Sequence, residues 1–203
     1  MICRRVIAVV SLRSVYQTVQ NSLNGDRVNC TVSMKQSTGR WSLSNPGLTV
    51  MGKRGGKWRE REIFVAEPGH VIIAIDLSQI DMRALAGLSQ DTAYIEMLRT
   101  SDPHAEIARL LLGSADRREE AKPINHGWGY GRGPKAISED NNIAPDLVMK
   151  FDRGMRERFP RLVKWQEEVR AQAESGQLLD NGFGRLMRPD PLRAHTQGSA
   201  LMG

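Results

Sequence analysis

Five consecutive apolar residues, Val71-Ile72-Ile73-Ala74-Ile75, follow the turn pair Pro68-Gly69 and stop at Asp76. A short unbroken apolar run bounded by turn residues predicts a buried strand of a sheet, with Asp76 at its end. Ile80, Leu85 and Leu88 then recur with helical period, predicting a helix capped by Asp76 or Ser78, with Asp81 in its first turn. Upstream, the pattern predicts a helix near Leu12 to Leu23. A strand-like stretch from Arg27 to Lys35 follows, with Val28, Cys30, Val32 and Met34 alternating, and then a Gly-rich loop. Beyond position 101 the period is helical. Segments 102–112, 117–130, 135–140, 145–159 and 160–175 read as helices, and Pro103, Pro145 and Pro160 fit first-turn positions, where a missing N–H costs nothing. The period then shortens: Gln177 to Asp180 and Arg185 to Met187 flank Asn181-Gly182, a strong hairpin signal. The expected class is α+β, a sheet bearing an acid with a helical lobe inserted between its strands.

Composition changes this picture little. With 203 residues, 40% hydrophobic and 26% charged, the chain has the makeup of a folded protein rather than a disordered one. Cys3 and Cys30 form neither a zinc spacing nor a disulfide framework, so a reducing, cytoplasmic setting is expected. The apolar stretch after Arg4 and Arg5 is too short to span a membrane. The net charge of +6 suits a polyanionic partner, and the run GKRGGKWRER from Gly52 to Arg61 concentrates the basic residues. Such a run serves equally as a solvated loop. His70 and His195 are isolated, and Trp41, Trp58, Trp128 and Trp165 are too scattered to form a stacking platform, which favours packing roles. No Walker A loop, serine nucleophile elbow or HExxH motif occurs, which argues against the commoner hydrolases.

One constellation carries more chemistry. Arg118, Lys122, His126 and Tyr130 are each four residues apart, so on a helix they project from one stripe. Two cations could neutralise phosphate oxygens at one end while an imidazole and a phenol stack on a base or sugar at the other. Gly127, Gly129 and Gly131 would leave room for something bulky against the helix. A stripe of this kind is also what a solvated basic face looks like. Asp76 alone has two readings as well, metal ligand or helix cap, and the cap is the commoner.

The stretch REEAKPINHGWGYG, from Arg118 to Gly131, resembles the O-helix motif of family A (bacterial polymerase I type) DNA polymerases, R-x3-K-x3-F/Y followed by YG. DLSQIDMR, from Asp76 to Arg83, resembles the first palm motif of that family, DYSQIELR. Thr38-Gly39-Arg40 with Leu43-Ser44-Asn45-Pro46, the approach segment Phe64 to Gly69, and Asp102-Pro103-His104 resemble three further family segments in the same order. The resemblance implies a right-hand polymerase architecture: a partial palm over 1–100 that begins at the thumb junction, helical fingers over 101–175, and a hairpin returning to the palm over 176–203. It also implies template-directed DNA synthesis from deoxynucleoside triphosphates on a primer-template, by a monomer using two magnesium ions. Asp76 and the Leu77 carbonyl would ligate those ions. His104, Arg118 and Lys122 would hold the triphosphate, with Lys122 as proton donor to pyrophosphate. Gln79, Asp81, His126 and Tyr130 would complete the nucleotide site, and Arg40, Arg193 and Gln197 would contact DNA.

Several positions depart from the family pattern. Leu77 replaces the motif tyrosine, Asp81 the glutamate that excludes ribose, and His126 the usual aromatic residue, while Glu119 stands where a second basic residue is common. No acidic residue follows Asp190, where the family places a second catalytic carboxylate in an HDE motif. These features lead to the expectation of a fragment with half a metal site. Two alternatives stand beside active synthesis: an inert nucleotide- or nucleic-acid-binding remnant, and a basic helical protein with no polymerase role.

Overall fold

The computed structural model describes residues 13–36, 40–51, 60–99 and 102–189. It divides into two compact units, Met1–Asp76 and Leu77–Gly203. The first unit holds a helix, α1, over residues 13–21. Two antiparallel ribbons follow, β1 (Leu23–Asn24) with β2 (Arg27–Val28), and β3 (Thr31–Ser33) with β4 (Ser42–Ser44). The predicted strand from Arg27 to Lys35 is thus broken, and its first part turns back on Leu23 and Asn24. Gly25 makes that turn with φ 65°, a conformation that side chains strain. An ion pair between Arg27 and Glu67 links the ribbon to the segment before the apolar run.

The apolar run itself corrects the sequence reading. Residues 71–77 form neither strand nor helix, and Val71, Ile72, Ile73 and Ile75 are 80%, 64%, 77% and 87% exposed. A strand exists only where a neighbour accepts its ladder, and no described strand pairs with this segment. The expected sheet is therefore replaced, among the described residues, by three two-stranded ribbons, and Asp76 lies in an exposed segment without regular structure. Trp41, expected to pack, is 68% exposed.

The second unit is helical: α2 (Ile80–Ser89), α3 (Thr92–Met97), α4 (Pro103–Ile107), α5 (Arg118–Gly129), α6 (Pro134–Asn141), α7 (Pro145–Arg158) and α8 (Pro160–Glu174). Pro103, Pro134, Pro145 and Pro160 occupy first-turn positions. A π-helical turn, Ala108–Leu112, continues α4. One apolar cluster, including Ile107, Ile124, Ile137, Phe151, Met155, Phe159 and Leu162, binds these helices together. Tyr94 meets Phe159 edge to face at 5.0 Å, and its hydroxyl is pushed to a higher pKa by burial and by the charge of Asp91. The helix after Asp76 starts differently from expectation. Its N-cap is Gln79, in a left-handed conformation with φ 50° and no side-chain cap bond, rather than Asp76 or Ser78.

The hairpin at the end of the unit pairs β5 (Leu179–Asp180) with β6 (Leu186–Met187). Asn181-Gly182 opens a longer loop than the two-residue turn that pair suggests. Asn181 Oδ1 accepts from the backbone N–H groups of Phe183 and Arg185, and Asp180 Oδ1 accepts from that of Gly182. Leu179 and Met187 pack with Val169 and Ala173 of α8, which docks the hairpin.

Candidate nucleotide-binding site

The polar stripe of α5 follows from which face the core claims. Ala121, Ile124, Asn125 and Trp128 are buried, so Arg118 and Lys122 are left half-buried and His126 exposed on the remaining face. Tyr130 is the C-cap residue. Its ring stacks on His126 with centroids 5.5 Å apart and planes 12° apart. The Tyr130 hydroxyl donates to Asp81 Oδ2 at 2.6 Å, tying the end of α5 to the first turn of α2. The two helices also meet in their buried faces, where Asn125 Nδ2 lies 3.5 Å from Met82 Sδ.

Facing this stripe is the start of α4. Asp102 caps the helix, with Oδ1 accepting from the N–H groups of His104 and Ala105 at 3.1 and 3.2 Å, and Pro103 sets the first-turn conformation. His104 is 8% exposed and its Nδ1 is buried without a hydrogen-bond partner. Burial, then the charge of Arg118, holds the His104 pKa below the ordinary imidazole value. Lys122 and His126 push the same way, against Asp102. Desolvation and the neighbouring Arg118 guanidinium and Lys122 ammonium thus favour the neutral form of the His104 ring. The Asp102 carboxyl is also shifted. Burial works to raise its pKa, but hydrogen bonds from Arg118, Ala105 and His104, with the charge of Arg118, hold it below its ordinary value.

Gln79, Asp81, Tyr94, His104, His126 and Tyr130 line one cleft of about 190 Å³, whose rim includes Leu77. Its floor is apolar, from Ile80, Met82 and Leu85. Arg118 donates through Nε to Asp102 Oδ2 at 2.6 Å and through Nη1 to Glu119 Oε1 at 2.5 Å. Lys122 has no hydrogen-bond or ion-pair partner among the described residues. The structure thus gathers seven of the residues singled out in sequence, Gln79, Asp81, His104, Arg118, Lys122, His126 and Tyr130, in or beside one cleft. Asp76 and Arg40 belong to the other unit and are exposed. Arg193, Gln197, His195, Thr38, Gly39 and the basic run from Gly52 to Arg59 lie outside the described residues.

Two readings of α5 need correction or addition. Gly127 and Gly129 leave room for the protein's own side chains. A Cβ on Gly127 would lie 2.9 Å from Ile137 Cγ1, and one on Gly129 3.2 Å from Leu85 Cδ1. Gly131 adopts φ 75° just past the helix. Asp102 is the residue that sequence reasoning left without a role. Its sequence signal was an Asp before Pro ahead of an apolar helix, which foretells the cap but not the bond to Arg118.

Magnesium finds an incomplete donor set here. Among the described residues no group of three or more His, Cys, Asp or Glu side chains is placed to hold an ion. One Asp76 carboxylate and one Leu77 carbonyl do not concentrate the negative charge that a bridged pair of hard cations requires.

The chain is 27% identical over 178 residues to the DNA polymerase of Mycobacterium phage D29, covering 84% of this chain and 29% of that protein. It is 31% identical to DNA polymerase I of Pseudomonas aeruginosa and to the thermostable DNA polymerase I of Thermus aquaticus, with 73% of this chain covered in each case. It spans only 17% and 19% of those two relatives. Among solved structures, the POL domain of Pol1 from M. smegmatis, in complex with DNA primer-template and dNTP, superposes with a TM-score of 0.79 at 24% identity. That match covers 95% of this chain and 37% of the other. The model for DNA polymerase family A matches residues 6–199, nearly the whole sequence, and the chain belongs to that family.

Proposed function

We propose that this chain supplies the nucleotide-binding part of a template-directed DNA polymerase, which transfers a nucleotidyl group from a deoxynucleoside triphosphate to a primer 3′-hydroxyl. The observation that carries the reading is the convergence of His104 with the Arg118–Lys122–His126 face of α5 beside a cleft closed by the Tyr130–Asp81 bond. Arg118 and Lys122 beside the desolvated His104 ring form a positive field that a triphosphate would relieve. In this reading Arg118 and Lys122 neutralise phosphate oxygens and His104 donates a neutral hydrogen bond. His126, stacked on Tyr130, offers a flat surface to the base or sugar. Tyr130 held by Asp81, with Gln79 at the start of α2, bounds the sugar side. Lys122 would give its proton to the departing pyrophosphate, preserving charge balance as the leaving group forms. Primer-template DNA is the second partner, supported by the likeness to a polymerase domain solved with both ligands, and Arg40, Arg193 and Gln197 are assigned to it. We assign 101–175 to the fingers, 1–100 to a partial palm and 176–203 to the hairpin that returns to it, and take the working form as monomeric.

Asp76 and the Leu77 carbonyl are the magnesium ligands of this reading. By themselves they do not make a two-ion site. With no larger group of metal-ligating side chains among the described residues, a second reading stands beside the first, in which the chain binds nucleotide and DNA without synthesis. Primer extension on a primed template separates the two. Product that disappears in Asp76→Ala and Lys122→Ala supports synthesis, whereas salt-sensitive DNA binding with no product supports the inert form. Neither DNA nor triphosphate binding would overturn both.

A further inference from the structure

Both oxygens of Asp102 are engaged, and both hold parts of the nucleotide site. Oδ1 accepts from the N–H groups of His104 and Ala105, and Oδ2 accepts from Arg118 Nε at 2.6 Å, 16 residues away. One carboxylate therefore fixes the start of α4 and the first side chain of α5 together. Arg118 is gripped by its inner nitrogen, and Nη1 donates to Glu119, which leaves Nη2 without a hydrogen bond among the described residues. A guanidinium held at Nε has its plane set by its partner, while an unheld arginine spreads over many rotamers. The pair is 34% and 37% exposed, so it is neither sealed from water nor fully screened.

We propose that Asp102 is a positioning residue of the nucleotide site, aiming Arg118 Nη2 and the His104 ring jointly at the triphosphate. The inference rests on the nucleotide-binding reading above. Two effects oppose each other when the carboxylate is removed. Loss of a negative charge favours an incoming anion, and loss of the Nε bond releases Arg118. The short charge-assisted bond and the shared cap make orientation the larger effect, since the negative charge is already matched by the guanidinium it holds.

The test is equilibrium binding of dATP to the full chain, its Asp102→Asn and Arg118→Lys variants and the double variant, with deoxyadenosine as a phosphate-free probe. Asparagine still caps a helix, so α4 is retained, and Asp102→Ser gives a second capping variant should Asn fold poorly. Both are expected to weaken dATP binding about three- to tenfold and to leave deoxyadenosine binding unchanged. Asp102→Asn should add less to Arg118→Lys than it costs alone, because lysine has no planar guanidinium for Asp102 to orient. Unchanged or tighter dATP binding in the capping variants, or full additivity with Arg118→Lys, overturns the inference while leaving the nucleotide reading intact. If the unsubstituted chain does not bind dATP, or if Arg118→Lys and Lys122→Ala bind it as tightly as the unsubstituted chain, the nucleotide reading fails and the inference falls with it.

Discussion

Tyr130 donates its hydroxyl to Asp81 Oδ2 at 2.6 Å, joining residues 49 apart in sequence at the mouth of the cleft. Asp81 is one methylene shorter than the glutamate of the related motif, yet the bond is made. Tyr130→Phe is expected to lower stability by about 1 kcal/mol, and Asp81→Ala by about 1 to 2 kcal/mol because it leaves the hydroxyl without this acceptor. The double variant should lose less than the sum. Urea unfolding midpoints measure all three, and strict additivity would count against a direct coupling.

Asp91 is a polar joint between two helices of the second unit. It is 3% exposed, its Oδ1 accepts from Tyr94 N–H at 3.0 Å, and its Oδ2 accepts from the N–H groups of Arg161 and Leu162 at 3.0 and 3.1 Å. One carboxylate thus satisfies the first turns of both α3 and α8. Asp91→Ala should destabilise the chain by about 3 kcal/mol, and Asp91→Asn by less, as read from thermal or urea unfolding. A change below about 1 kcal/mol for Asp91→Ala would refute this role.

Gly127→Ala discriminates between helix propensity and packing. In an exposed helix the change would stabilise by about 1 kcal/mol. Here the new methyl would sit 2.9 Å from Ile137 Cγ1, an atom close to the α6 backbone rather than at the end of a flexible side chain. Destabilisation by about 1 to 3 kcal/mol is expected, relieved when Ile137→Ala is added. A stabilised single variant would show that α5 and α6 are less tightly apposed than described.

Acid should weaken the folded state through His104. Its folded pKa lies below the ordinary value of 6.5, so the unfolded chain takes up the proton first as pH falls. The contribution of His104 is complete above about pH 6.5 and is lost progressively as pH drops toward the folded value. Asp102, also depressed, acts in the same direction but only below its ordinary value of 3.8. His104→Gln should flatten the upper part of the acid limb in unfolding experiments across this range. An unchanged slope would contradict the assignment of a buried neutral imidazole.

What the sequence made legible was local. The prolines at 103, 145 and 160 mark helix starts because a missing N–H matters only inside a helix, and the four-residue spacing on α5 fixes a shared face whatever the surroundings. Residues 71–75 were misread because a strand is completed by a partner elsewhere, which no local run of apolar residues reveals. The Asn181-Gly182 signal located the hairpin but not its loop, since side-chain acceptance by Asp180 and Asn181 widened the turn. The Arg118–Asp102 bond was hidden because a π-helical turn and a 3-10 turn lie between the partners, and their combined rotation is not encoded in any simple period.

The most direct measurement is the affinity of the full chain for dATP with and without Lys122→Ala, with thermal unfolding followed in parallel. Lys122 has no partner among the described residues, so its removal should leave the unfolding midpoint in place. If α5 grips the triphosphate, dATP binding weakens about tenfold or more while deoxyadenosine binding is unchanged. Equal dATP affinity in the two proteins would contradict the account.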